Sequence, residues 1–158
     1  MGDNGAVIDK SKLYRYRLWR TFDSGKGTVA FIMLNPSTAD AKHTDPTLTR
    51  CIGFAKFWGY QKLDIVNLFA YRATDPKELH RVSDPIGPEN DKYIVDVISK
   101  ADLVVAAWGE KGKTLRRNRQ VINIVKPIIS LYALEILKCG QPRHPLYAKA
   151  DIQPIRYK

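Results

Sequence analysis

The sequence predicts an α/β protein in three layers: a short, mainly parallel sheet covered by helices on both faces, with a hairpin strand added on the N-terminal side. Continuous apolar runs at residues 28–34 (TVAFIML), 63–68 (LDIVNL) and 103–107 (LVVAA) read as strands buried on both faces. Between them apolar residues recur at helical spacing, and buried strands alternating with amphipathic helices call for crossovers and parallel pairing. The length, 158 residues, fits a single domain, with a core at about 13–147 and a short flexible N-terminus.

The elements follow in order. Residues 13–20 (LYRYRLWR) alternate aromatic and positively charged side chains, which suits a half-exposed edge strand. Asp23, Ser24, Gly25 and Gly27 supply turn chemistry, so this segment and residues 28–34 read as a hairpin feeding a buried strand. A helix is predicted at 47–58, where Leu48, Cys51, Ile52, Phe54, Ala55 and Trp58 share a face and Gly59 is a stop. A strand follows at 63–68. Pro85, Gly87 and Pro88 precede a helix at 89–100 that buries Tyr93, Ile94, Val97 and Ile98, and the next strand is 103–107. A basic segment at 111–119 leads into a helix reaching about 126, and residues 128–134 read as the last strand. No repeat, low-complexity tract or dividing linker interrupts this order.

Composition narrows the function. Hydrophobic residues make up 44% and charged residues 27%, the balance of a globular chain rather than a disordered one. No apolar run approaches the ~20 residues of a membrane span, and the first residues, MGDNGAVIDK, lack the basic-then-apolar pattern of a secretion signal. Two cysteines, Cys51 and Cys139, are too few for a disulfide framework or a four-cysteine cluster, so a reducing cytoplasm and no cofactor are expected. His43, His80 and His144 show no close ligand-pair spacing, and no metal is expected. Lysine and arginine total 26 against 16 acidic residues, a net charge of +10 that favours a nucleic-acid or nucleotide partner.

In parallel sheets reactive groups gather beyond the carboxyl ends of the strands. Four segments lie there: 35–45, 69–76, 108–114 and 135–147. The first carries Asn35, Ser37, Asp40, His43 and Asp45, with Pro36 fixing the backbone beside Asn35; the bland alternative is a turn followed by a helix cap. The second follows Asn67, whose amide offers a donor and an acceptor, enough to read one edge of a nucleobase. Phe69 or Tyr71 would stack on its face, and Arg72 would meet a phosphate.

The third, AWGEKGKT, satisfies a phosphate-binding P-loop pattern if alanine replaces its first glycine, with Lys113 toward phosphates and Thr114 toward magnesium. Trp108 is bulky for a loop that must wrap an anion, so an anion-binding or solvated basic loop stands beside the P-loop reading. Lys111, Lys113, Arg116, Arg117 and Arg119 are its candidate phosphate contacts. The fourth, GQPRHPLY, holds His144 in a proline-bounded loop, where it would donate to developing negative charge or carry a proton, with Arg143 beside it for a phosphate.

Together NPSTAD, DPTLTRC, NLFAYRATDP, DPIGPEND, AAWG and GQPRHPLY resemble a bacterial and phage family known as domain of unknown function sixteen forty-three, from about residue 14 to 147. More remotely, the order of motifs is similar to that of the uracil-DNA glycosylase superfamily. That resemblance implies a three-layer fold in which Asn35 and Pro36 stand where a polar residue positions water. It puts Asn67 where an asparagine reads the base, and His144 where a histidine stabilises the departing base; Met33 and Leu146 depart from the glycine and serine usual at their positions.

An asparagine is no general base, so a carboxylate is needed, and Asp40 or Asp45 would supply it, Asp40 being chosen for the catalytic set with Asn35 and His144. The resulting expectation is hydrolysis of an N-glycosidic bond in DNA or a nucleotide. Its rivals are a non-catalytic nucleic-acid or nucleotide-binding module and a P-loop phosphotransferase.

Overall fold

A computed structural model describes residues 3–158. Seven strands form one sheet: β1 (Gly5–Ile8), β2 (Arg15–Thr21), β3 (Thr28–Met33), β4 (Lys62–Asn67), β5 (Leu103–Ala106), β6 (Leu131–Ala133) and β7 (Ile155–Arg156). Their spatial order is β1-β2-β4-β3-β5-β6-β7. The central strands β4, β3, β5 and β6 are mutually parallel, while β1, β2 and β7 add antiparallel at the two sides.

Alternation along β3 divides the core. Val29, Phe31 and Met33 face helix α1 (Pro46–Phe57), whose Leu48, Cys51, Phe54 and Ala55 lie on one side of the sheet. Ala30 and Ile32 face α2 (Asn90–Lys100) and α3 (Arg117–Val125), which bury Ile94, Val97, Ile98, Val121 and Val125 on the other. The period-2 strands and period-3.6 helices read from the sequence thus meet as helices on both faces of a sheet. Among the described residues no helix is long and apolar enough to cross a membrane.

Four expectations at the sheet's margins are corrected. The aromatic and basic strand β2 is not an edge: β1 covers it, and Gly5 makes room for Trp19, whose ring atoms would lie 2.2 Å from a Cβ at that position. The N-terminal stretch expected to be flexible therefore contains a strand, although residues 1–2 lie outside the described ones. Nor do β2 and β3 form a hairpin with each other, since both pair with β4 from opposite sides. Finally β6 is not the last strand. Beyond it the chain passes a 3-10 turn (Pro145–Tyr147) and returns as β7 beside β6.

This topology positions the site. Because β2 runs antiparallel to β4, its first residue, Arg15, lies beside the carboxyl end of β4, and Arg15 N–H donates to Ala70 O at 2.9 Å. The returning chain is clasped to α1, where Arg50 donates to the carbonyls of Pro145 and Ala148 and Trp58 Nε1 donates to Ile152 O at 2.9 Å.

Candidate functional site

A pocket of about 540 Å³ opens at the carboxyl edge of the parallel strands, on the side covered by α1. Its wall brings together Asn35, Ser37 and Asp45 from the loop after β3, Asn67 from the end of β4, Lys111 from the loop after β5, and His144 from the loop after β6. Volumes of ~300–1,000 Å³ are those of small-molecule and cofactor sites.

Asn67 is 1% exposed, and neither its amide nitrogen nor its oxygen has a hydrogen-bond partner. Leaving a buried donor or acceptor unmade costs about 1–3 kcal/mol, so such a group calls for a partner from outside the chain, a ligand or a water. Its backbone is held from behind. Buried Asn90 donates from Nδ2 to the carbonyls of Asn67 and Leu68 at 3.0 and 3.1 Å, and Arg117 Nε donates to Leu68 O at 2.7 Å.

Asn35 is fixed differently. Its Nδ2 donates to Ala73 O at 2.7 Å and Pro36 O at 3.1 Å, which occupies the donor side and leaves Oδ1 as its acceptor. His144 caps the 3-10 turn by accepting the Leu146 N–H on Nδ1 at 3.2 Å, so the proton of the neutral ring sits on Nε2. Burial lowers the pKa of His144, the nearby Asp45 charge only partly opposing it, and the neutral, donating tautomer is the form favoured near pH 7.

The two candidate carboxylates separate. Asp40 lies outside the pocket, where it accepts the backbone N–H groups of Lys42 and His43 and the His43 ring; these bonds hold its pKa down at about 2. It closes a turn. Asp45 lines the pocket, with one oxygen capping α1 through Leu48 N–H at 2.8 Å.

The stacking and phosphate candidates also divide. Phe69 is buried in the core under α2 and α3, because the chain crosses to the other face after Asn67, and Tyr71 packs edge-on to Tyr14 outside the pocket. The aromatic side chains on the pocket wall are instead Trp108, fully buried, and Tyr147, 72% exposed. Ser37 and Lys111 line the pocket, whereas Arg72, Lys113, Arg116 and Arg143 do not; Arg143 pairs with Glu135 at 2.8 Å. Arg117 is buried at 2% exposure, bonded to Leu68, Gln120 and Asp91, and is structural.

The AWGEKGKT segment does not wrap an anion site. It forms a 3-10 segment (Glu110–Arg116) around Trp108, whose Nε1 donates to Gln141 at 2.9 Å. A Cβ at Gly112 would stand 1.8 Å from the Trp108 ring. Two of its backbone donors are spent on the protein, Gly109 N–H on Pro142 O in the loop after β6 and Gly112 N–H on Gly109 O.

Sequence reasoning missed Arg15. It lines the pocket at 5% exposure, and only the strand pairing brings it there. Among the described residues no group of three or more metal-ligating side chains is found.

Fold and site define a mixed α/β protein with a pocket of mixed polar and apolar lining at the carboxyl edge of its parallel strands. Residues 15–146 match the model of DUF1643, described as a protein of unknown function, and the chain belongs to that family. No curated protein and no solved structure matches it significantly.

Proposed function

We propose that the pocket binds a nucleobase, carried by DNA or by a nucleotide, and that the protein hydrolyses its N-glycosidic bond. The observation that carries this reading is the unpartnered buried amide of Asn67, on the wall of a pocket shared with Asn35, Asp45 and His144. An amide satisfied only from outside asks for a planar partner with an acceptor and a donor side by side, which a nucleobase edge supplies.

In the proposed reaction Asn35 Oδ1 and the Asp45 carboxylate hold a water, Asp45 receiving its proton as the oxygen attacks the anomeric carbon. The C–N bond breaks, its electron pair leaves with the base, and His144 Nε2–H donates a hydrogen bond to the base as negative charge develops. Lys111 at the pocket wall, with exposed Arg116 and Arg119 farther along, would attract the phosphates of a polyanion. Asp45 thus replaces Asp40, and Tyr147 replaces Phe69 and Tyr71, in the roles drawn from sequence.

The test is to incubate the protein with a panel of normal and modified DNAs and nucleotides and to look for released base by mass spectrometry. Release from one class, lost in Asn67→Ala, supports the reading. Binding of a nucleobase without release supports the non-catalytic module, and neither binding nor release across the panel overturns both.

A further inference from the structure

The pocket wall holds a cation whose charge neither the fold nor the base reading pairs. Arg15 is 5% exposed; Nη1 donates to Ala39 O at 2.9 Å, while its Nε is buried with no acceptor. Among the described residues no carboxylate lies within ion-pair distance of it. A charge taken out of water this far is expensive unless paired. Arg15 nonetheless remains protonated near pH 7, since burial lowers its pKa only to about 10, Asp45 opposing the shift.

Charges of both signs surround it: Asp45 and Asp40 favour its charged form, Arg72 and Arg20 oppose it, and neither carboxylate pairs with it directly. The N-terminus of α1, a twelve-residue helix, contributes Thr47 and Leu48 to the same pocket, with the Leu48 N–H already donated to Asp45.

We infer that Arg15 and the first turn of α1 form an anion subsite inside the pocket, which takes a phosphate of the ligand whose base meets Asn67. The inference rests on the base-binding reading for the second half of that statement only. Phosphate binding at Arg15 stands or falls independently. The phosphate has two possible sources, the terminal group of a free nucleotide or a phosphodiester beside a base extruded from nucleic acid.

Isothermal titration of the wild-type protein with inorganic phosphate, a set of nucleosides and their 5′-monophosphates tests it. A charge-assisted bond from a desolvated arginine should make a monophosphate bind roughly ten- to hundredfold tighter than its nucleoside, with inorganic phosphate competing. Arg15→Gln should erase that preference and the competition. Arg15 also holds Ala39 O, so thermal melting checks that the variant folds. Arg15→Lys, which keeps the charge without the Nε–H, serves as the second variant and should retain only part of the preference.

Competition by a trinucleotide without terminal phosphates identifies a backbone source, and competition by the monophosphate alone identifies a free nucleotide; either supports the subsite. Equal affinity for nucleoside and monophosphate in the wild type, or a preference undiminished in both variants, overturns it. Absence of base release alongside an Arg15-dependent preference would sink the hydrolytic reading and leave the subsite standing.

Discussion

The loops after β3 and β5 both leave a buried parallel strand at its carboxyl end, and both are rich in the residues of binding loops, yet they do opposite things with their polar groups. The loop after β5 carries the better-known spacing, but it commits Gly109 N–H to the neighbouring loop and Gly112 N–H to Gly109 O, and packs Gly112 against the Trp108 ring. The loop after β3 has no named spacing. It is held from outside, by Arg15 on Ala39 O and by Arg20 on Asp40 O at 2.6 Å, and so presents Asn35, Ser37 and Asp45 to the pocket. A binding loop is recognised by where its donors and acceptors end, which a residue pattern states only in part.

That contrast breaks most easily at the carboxylates of the first loop. Asp45→Asn should lower base release by roughly 100- to 10,000-fold, the range for losing a general base, while Asp40→Asn leaves it within about threefold. Single-turnover release assays on the two variants decide which carboxylate works. Equal losses would mean that the turn closed by Asp40 matters as much as the pocket itself.

His144→Ala should cost roughly 100- to 1000-fold with folding retained, as for loss of one donor to developing charge. Its pH profile carries a sign. Because burial lowers the His144 pKa, the neutral form persists to lower pH than in a free imidazole. Activity should hold as pH falls through the ordinary histidine range and drop only below it. Folding stability has the same direction, since the unfolded state binds the proton more readily there. A kcat/KM profile that falls already within the ordinary range would contradict the neutral assignment.

The second loop should answer with stability rather than activity. Gly112→Ala drives a methyl into Trp108 and should destabilise the protein by about 1–3 kcal/mol, read as a lowered denaturation midpoint. The smallest effect is expected at Lys113, exposed and off the pocket wall. Lys113→Ala should leave release from a free nucleotide within about twofold, and ATP hydrolysis should be absent from the wild type, because a P-loop lysine must touch phosphates. Loss of activity in that variant with His144→Ala unaffected would restore the P-loop reading.

Much of the central architecture was legible because buried parallel strands are nearly continuous in apolar residues: β3, β4, β5, α1 and α2 lie within one or two residues of their expected bounds, while α3 begins at Arg117, inside the basic segment expected to precede it. The margins were not. Strands β1 and β7 are only four and two residues long, too short for a pattern to declare them, and they form because an open edge is available to pair with. In the site, Asn35, Asn67 and His144 were visible as polar residues at strand ends. Arg15 was not, because its place depends on β2 lying antiparallel to β4. The choice between Asp40 and Asp45 turned on which carboxylate a local turn consumes, and the loss of Phe69 from the site on which face of the sheet the chain takes beyond its strand.

The central claim is that a nucleobase occupies the amide of Asn67. The most direct measurement follows the Asn67 side-chain Nδ2–H₂ resonances in ¹⁵N-labelled protein during titration with each free base. The account predicts a saturable shift of that pair, identified by its disappearance from the spectrum of Asn67→Ala, for at least one base, with the Asn90 amide little changed. Bases that bind while leaving the Asn67 resonances unmoved, or no shift with any base, would contradict it.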